Sequence, residues 1–314
     1  MPKSLEYNAT LIERIDLMEG LAIFKIRPDE PLEKGWFIPG QYVTLGLNRD
    51  AEAGDGDLPE SVRRPMSIAS APEEDDAIEF YIRYVNYPES KLPLTHLLWR
   101  VPVGERMYWR PGAVGHFTIE GTAGADDDRL KVMVAAGTGL APFVSIARSR
   151  VLRDPNARLD DLAIIHGASY PAALGYREEL EGYAEKNGLR YLPTVSRPKE
   201  APEWRGQAGR AEALFEPGRL EQTEELLGLE PGELRPERAA ILVCGLQGTI
   251  ANTAMDLLYR GFVPDNRKIR RALEIDQETA PSFFFEQYDS TPVIDVNDQA
   301  LVAELKKRLA GAQA

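Results

Sequence analysis

The stretch Leu130-Lys131-Val132-Met133-Val134-Ala135-Ala136-Gly137-Thr138-Gly139-Leu140-Ala141-Pro142 decides the fold of the second half of this chain. Its first seven residues form an apolar run of the kind found in strands buried on both faces. Two glycines flanking a threonine then turn the chain. Ala141 to Leu152 reads as a helix, with Pro142 in its first turn, where a missing N–H costs nothing. Strand, glycine turn and helix together place N–H groups where a pyrophosphate can be received. The turn is not G-x-G-x-x-G, because alanine and proline follow Leu140. On spacing alone, a tight βα turn without a ligand is also compatible.

Further along the chain the same unit repeats. Leu162 to His166 reads as a second buried strand, followed by a helical stretch from Leu174 to Glu185. Leu189 to Val195 is a third strand and Ala239 to Cys244 a further one, followed by a helical stretch from Thr249 to Arg260. Strands alternating with helices predict a parallel α/β sheet. The stretch Glu216 to Glu237, rich in Glu, Pro and Gly, reads as an insertion with a helix at Leu220 to Leu227. Phe283 to Tyr288 predicts a strand. Asp298 to Leu309 predicts an amphipathic helix with Leu301, Val302, Leu305 and Leu309 on one stripe.

Toward the N-terminus the texture changes at Ala123-Gly124-Ala125-Asp126-Asp127-Asp128. Before it, short runs rich in β-branched and aromatic residues (Ala22–Ile26, Gln41–Leu45, Ile78–Val85 and Glu105–Trp109) are punctuated by Gly and Pro. They predict an antiparallel barrel or sandwich. Asp50 to Leu58 reads as a polar loop, and Leu94 to Trp99 as a short helix. The organisation expected is 1–125 as the first domain, 126–275 as the α/β domain with an insertion at 216–238, and 276–314 as a C-terminal strand-and-helix extension.

Composition narrows the chemistry. A length of 314 residues suits two domains of roughly 150 residues each. No run approaches the roughly 20 apolar residues of a membrane helix, and Met1 to Glu6 has no apolar signal-peptide core, so a cytoplasmic protein without membrane association is expected. Cys244 is the single cysteine, which leaves no intramolecular disulfide and no set of thiolates for an iron–sulfur cluster. His96, His116 and His166 form no grouping with it that would bind zinc, so no metal site is expected. A redox centre here would have to be a bound organic cofactor. A net charge of −13 argues against nucleic-acid binding. Asn266 to Arg271 is basic against this background, as a solvated face or as a docking patch for an acidic partner.

In the first domain, Arg64-Pro65-Met66-Ser67 offers a guanidinium suited to a phosphate and a hydroxyl three residues on along an extended chain. Arginine and serine are also ordinary strand residues. Taken with the other segments, however, this one resembles the Arg-x-Tyr-Ser flavin motif of the ferredoxin–NADP reductase family, in its bacterial ferredoxin/flavodoxin reductase form. Lys91-Leu92-Pro93-Leu94-Thr95 resembles that family's second flavin-phosphate segment, where a hydroxyl residue caps a short helix. Gly137-Thr138-Gly139-Leu140-Ala141-Pro142 matches its Gly-Thr-Gly-x-Ala-Pro nucleotide turn, and Cys244-Gly245-Leu246 its Cys-Gly strand end. The likeness runs over roughly residues 5–290, and the order and spacing of the motifs are more specific than any one of them.

The resemblance implies an antiparallel β-barrel FAD domain followed by a Rossmann-like parallel-sheet NADP domain. It implies FAD and NADP(H) as cofactors, hydride transfer at flavin N5, and a ferredoxin or flavodoxin as carrier. Arg64 would hold the FAD pyrophosphate and Ser67 would hydrogen-bond near N5. Met66, Ile82, Arg83, Lys91, Leu92 and Thr95 would line the flavin side. Gly137, Thr138, Gly139 and Pro142 would form the nucleotide turn. Cys244, with Gly245 and Leu246, would line the nicotinamide position, and Cys244 is expected to be an inert, buried thiol. One branch of the family ends in Glu-x-Tyr; Glu286-Gln287-Tyr288 fits, although 26 residues follow, and makes Tyr288 the candidate cover of the flavin. Arg267, Lys268, Arg270 and Arg271, with Arg106 and Arg110, are candidates for a basic rim that docks the carrier.

Two departures stand out. The flavin-stacking tyrosine of the family is Met66 here, and a thioether offers no planar stack. Of three places that supply cations to an NADP 2′-phosphate, the first reads His166-Gly167-Ala168-Ser169 and lacks its arginine. Ser196-Arg197 and Gly209-Arg210 fit the other two. NADP(H) is therefore expected over NAD(H). The alternatives are an NADH-linked reductase component of an oxygenase and a non-catalytic nucleotide or flavin sensor.

Overall fold

The computed structural model describes residues 4–49, 61–88, 90–288 and 291–312; the polar loop expected at Asp50 to Leu58 lies outside them. Contacts divide the chain into two compact units, one of Met1–Thr118 with Ala141–Pro155, the other of Ile119–Leu140 with Asn156–Ala314.

The first unit is built on six antiparallel strands: β1 (Ala9–Met18), β2 (Leu21–Pro28), β3 (Tyr42–Asn48), β4 (Ser61–Ser67), β5 (Ile78–Arg83) and β6 (Arg106–Trp109), in the order β4-β3-β6-β1-β2-β5. A short helix, α1 (Leu94–Leu98), packs on β3 and β4. Past the end of β4 the chain leaves β3 and joins β5. Ile68 N–H donates to the Gln41 carbonyl (3.1 Å), and the next residue, Ala69, donates to the Glu79 carbonyl (2.8 Å), closing the sheet toward a barrel. Alternate strand residues fill its core, among them Leu11, Phe24, Ile26, Val43, Leu45, Ile78 and Phe80. Strand β1 was not anticipated from the sequence. Its charged Glu13, Arg14 and Asp16 interrupt the alternation, and the register slips between Leu11 and Glu13 and again between Asp16 and Met18. A bulge of this kind erases the period that sequence reading relies on.

The second unit carries six parallel strands: β7 (Leu130–Ala136), β8 (Leu162–Ala168), β9 (Arg190–Val195), β10 (Gln207–Ala208), β11 (Ala239–Gly245) and β12 (Phe283–Gln287), in the order β10-β9-β8-β7-β11-β12. Its helices are α2 (Ile119–Thr122), α4 (Arg177–Asn187), α5 (Leu220–Leu226), α6 (Gln247–Leu258), α7 (Arg267–Ala272) and α8 (Gln299–Ala312). Val132, Val134, Ile165, Ile241 and Val243 point to one face of the sheet. They pack with Ile250, Leu257, Phe215, Val302 and Leu305 into one apolar cluster. Successive strands run outward from β7 to β10, and the chain then returns to place β11 on the other side of β7. The sheet therefore has its topological switch point between β7 and β11, where open α/β sheets bind ligands at the strands' C-terminal ends.

Helix α3 (Ala141–Arg153) follows the glycine turn directly but belongs to the first unit. Ser145 Oγ donates to the Ser70 carbonyl (2.7 Å). The Arg148 guanidinium donates to Glu79 (3.0 Å) and to the Ala69 carbonyl (3.3 Å). The Arg148 and Glu79 side chains are only 11% and 9% exposed, and Lys25 approaches the same carboxylate at 3.3 Å. These polar contacts tie the helix to the segment that closes the barrel.

Candidate functional site

In the second unit, three loops come together at the C-terminal ends of β7, β11 and β12. The chain leaves β7 through a 3-10 turn, Gly137–Leu140. Gly137 has φ +54°, in the left-handed region, and a Cβ built there meets nothing within 4 Å. A Cβ on Gly139 would lie 2.1 Å from the Cys244 carbonyl oxygen and 2.9 Å from Gly245 Cα. The two glycines thus do different things. Gly137 permits the conformation and leaves an open face, while Gly139 lets the turn lie against the end of β11. Thr138 is half-buried, and Pro142 sits in the first turn of α3. An open backbone face at a helix start suits a pyrophosphate, which needs close N–H donors rather than side chains.

Cys244 is the sixth residue of β11 and lies in register with Glu286 on β12. It is completely buried, and its thiol donates to Tyr288 Oη at 3.3 Å. Burial pushes the thiol's pKa well above its ordinary value and the Glu286 charge adds to that; the bond to Tyr288 acts in the opposite sense. The thiol is therefore neutral at ordinary pH and chemically quiet. Gly245 then turns into Leu246, which is 68% exposed at the start of α6. Tyr288, 48% exposed, stands just beyond β12. Cys244, Glu286 and Tyr288, expected together from the resemblance, do share one end of the sheet.

The opposite wing of the same edge holds the nucleotide-selectivity candidates. Ser196 N–H donates to the Ala168 carbonyl (2.9 Å) and Arg197 N–H to that of Ser169 (3.1 Å), which joins the ends of β8 and β9. Arg197 Nη1 donates to Tyr170 Oη (2.8 Å) and the guanidinium lies 5.5 Å from the Tyr170 ring centre. Sequence reading missed Tyr170; its only signal was an aromatic residue just past the β8 strand end. Arg210 follows β10, exposed, with Glu212 3.7 Å away. His166, at the fifth position of β8, is fully buried and bonded to Tyr191 Oη (3.0 Å). Burial pulls its pKa down to about 3, so it is a neutral structural residue.

In the first unit, the candidates gather where β4 and β5 meet. Arg64 is exposed, and among the described residues its guanidinium bonds only to the neighbouring Arg63 carbonyl (2.8 Å), with no carboxylate competing for it there. Arg83 and Lys91 are also exposed, without an ion pair among the described residues. Ser67 pairs with Tyr42 across β3 and β4, and is half-buried. Met66 and Leu92 pack against the barrel core, and Ile82 is part of that core, so it has only its backbone to offer a ligand. Thr95 does not cap α1. The cap is Pro93, without a side-chain bond, and Thr95 Oγ1 instead accepts from Val85 N–H (3.3 Å). A set of cations free of carboxylates fits a cofactor that brings its own phosphates.

The basic rim expected to dock a carrier is placed differently. Arg270 is spent on the carbonyls of Pro264, Asp276 and Thr279. Arg267, Lys268 and Arg271 remain exposed, but α7 is held beside the start of β12, through a bridge of Pro264 to Phe283 and a bond from Asp265 N–H to the Phe283 carbonyl. Glu286 and Tyr288 lie toward the other end of that strand, about 10 Å and about 16 Å along it from Phe283 at a rise of about 3.3 Å per residue. Arg106 is committed to Asp29 and to the Tyr7 carbonyl, which leaves Arg110 exposed and without an ion pair among the described residues. Charge along the sequence identified the cluster but not the strand end at which it sits.

A model of the oxidoreductase NAD-binding domain matches residues 133–254, the span from β7 into α6. Ferredoxin–NADP reductase A of Sorangium cellulosum is 32% identical over 241 residues, which cover 73% of this chain and 76% of that one. The reductase subunit of an aromatic O-demethylase from Amycolatopsis is 29% identical, over 64% of this chain and 54% of its own. The crystal structure of a ferredoxin NADP+ reductase from Neisseria gonorrhoeae superposes with a TM-score of 0.68 at 22% identity, over 90% of this chain and 98% of that one, and shares its fold. With motifs, topology and relatives in agreement, the chain belongs to the ferredoxin–NADP reductase family of oxidoreductases.

Proposed function

We propose that this chain is an FAD-dependent oxidoreductase that moves electrons between NADP(H) and a ferredoxin or flavodoxin. The observation that carries the reading is the meeting of the Gly137–Gly139 turn, Cys244–Leu246 and Tyr288 at one edge of the sheet, beside its switch point. FAD, when bound, would supply the redox chemistry, coupling two-electron hydride exchange at N5 to one-electron exchange with the carrier.

The chain binds and orients. Gly137 and Thr138 present backbone to the pyrophosphate of the nicotinamide dinucleotide. Leu246 gives the nicotinamide an apolar platform, and the neutral Cys244 thiol lets the ring approach without meeting a charge. Tyr288, held by that thiol, is the aromatic cover for the flavin. Arg64 pairs with the FAD pyrophosphate, and Ser67 offers a hydroxyl at N5. Ser196, Arg197 and Arg210 receive the 2′-phosphate, whose dianion needs cationic donors. A hydride exchanged between a nicotinamide and FAD would need no paired acid and base from the chain.

The test is NADPH-dependent reduction of a ferredoxin and of a flavodoxin, each followed at its own absorbance. Reduction of either supports the assignment. If both carriers stay oxidised while ferricyanide is reduced, the reading as the reductase component of an oxygenase replaces it.

A further inference from the structure

The wing of the sheet edge formed by β8, β9 and β10 is short of free cations. Strand β8 runs out into Ala168-Ser169, which offers no charge. Arg197 is turned onto Tyr170, and Arg210 is shared with the buried Glu212. One more arginine reaches this place, from outside the strand ends. Arg219 precedes α5, in the insertion. Among the described residues, and apart from Gly209 and its chain neighbours, its Nη1 is the only heavy atom within 4 Å of a Cβ built on Gly209, at 3.8 Å. Gly209 has φ +126°, and its N–H is bonded to the Val195 carbonyl, one residue before Ser196. The guanidinium therefore sits over the Gly209-Arg210 turn, next to the end of β9.

Three features set Arg219 apart from an ordinary surface arginine. It is half-buried, yet it has no ion pair and no side-chain hydrogen bond among the described residues. A partly desolvated guanidinium without an anion is costly, and the cost is recovered only when an anion arrives. Its backbone is also fixed. The fully buried Thr223 hydroxyl bonds to both the Arg219 carbonyl (3.0 Å) and the Leu214 carbonyl (2.7 Å), and Leu214 and Phe215 are core residues. Finally, the glycine beneath it leaves the space under the guanidinium otherwise empty.

We infer that Arg219 is a ligand of the 2′-phosphate, completing with Arg197 and Arg210 a three-arginine site to which the insertion contributes. This rests on the NADP(H) reading above. It also gives the insertion a role: it carries a cation to a strand-end cluster where β8 offers none.

The test is calorimetric binding of 2′,5′-ADP and of 5′-ADP to the whole protein, which needs no turnover. Arg219→Ala should weaken 2′,5′-ADP binding about ten- to hundredfold, as expected for a lost charge-assisted contact, and leave 5′-ADP within about twofold. Arg219→Lys, which keeps the charge but not the fork, should fall between. A normal 2′,5′-ADP affinity in Arg219→Ala, with losses in Arg197→Ala or Arg210→Ala, overturns the assignment of Arg219 and spares the NADP(H) reading. Equal loss for both ligands also overturns it, because the effect is then structural. If the wild-type protein binds 2′,5′-ADP no better than 5′-ADP, the NADP(H) reading falls and this inference with it.

Discussion

Replacing Gly139 and Gly137 separately with alanine should divide the two jobs of the nucleotide turn. The Gly139 methyl would arrive 2.1 Å from the Cys244 carbonyl oxygen, 2.5 Å from its carbon and 2.9 Å from Gly245 Cα, where ordinary contact begins near 3.4 Å. All three atoms are backbone, so none can rotate away. They belong to a strand held to β7 by a ladder from Ala239 to Cys244. The turn and the end of β11 must part by roughly 1 Å, and overpacking of this kind costs about 3 kcal/mol, the upper end of its usual range. The Gly137 methyl enters open space, with only the left-handed φ of +54° to oppose it. That penalty is about 1–2 kcal/mol, offset by about 0.4–1 kcal/mol from a stiffer unfolded chain. In urea, with a slope of about 2 kcal/mol/M, the Gly139 variant should lose about 1.5 M of midpoint and the Gly137 variant about 0.5 M. Circular dichroism of the cofactor-free protein measures both. The order should invert for NADP+ affinity relative to stability, because the Gly137 methyl projects into the face offered to the pyrophosphate. A Gly139 variant as stable as the Gly137 variant refutes this division of roles.

Other outcomes follow from the same geometry. Arg64→Ala should raise the dissociation constant for FAD about tenfold or more, read from flavin released on ultrafiltration. Arg148→Ala leaves Glu79 buried with only Lys25 for company, and should cost about 3 kcal/mol in unfolding experiments. Neutral His166 makes stability depend on acid. Its folded pKa, about 3, lies below the unfolded value near 6.5, so the unfolded chain binds the extra proton. The contribution is complete above about pH 6.5 and falls by about 1.4 kcal/mol per unit down to about pH 3; unfolding of His166→Gln across that window should lack this slope. The triple change Arg267→Glu, Lys268→Glu, Arg271→Glu should leave carrier reduction unchanged, because α7 lies at the wrong end of β12. Loss of carrier reduction with ferricyanide reduction intact would restore that patch as a docking face.

Much of the second unit could be read from residues alone. The apolar runs at β7, β8 and β11 are long and flanked by helices, so period and burial agree. The motif residues also landed together, because βα turns necessarily collect at one edge of a parallel sheet. What escaped reading depended on contacts remote in sequence. Strand β1 hides its alternation in bulges, and α3 is bound to the barrel segment by polar side chains, Ser145 and Arg148, whose partners lie 75 and 69 residues away in sequence. Thr95 resembles a cap in sequence, but the helix is capped at Pro93, two residues before it, so Thr95 lies inside the first turn. Arg219 lies in an insertion with no motif, and only the fold brings it over Gly209.

The central claim is hydride transfer from NADPH to a bound flavin, and the most direct test is the visible spectrum of the purified protein under anaerobic conditions, before and after NADPH or NADH in separate cuvettes. The purified protein should show visible flavin bands that NADPH bleaches faster than NADH. Faster bleaching by NADH would keep the flavin but contradict the roles of Arg197, Arg210 and Arg219. A spectrum without flavin, even after FAD is supplied, would contradict the account as a whole.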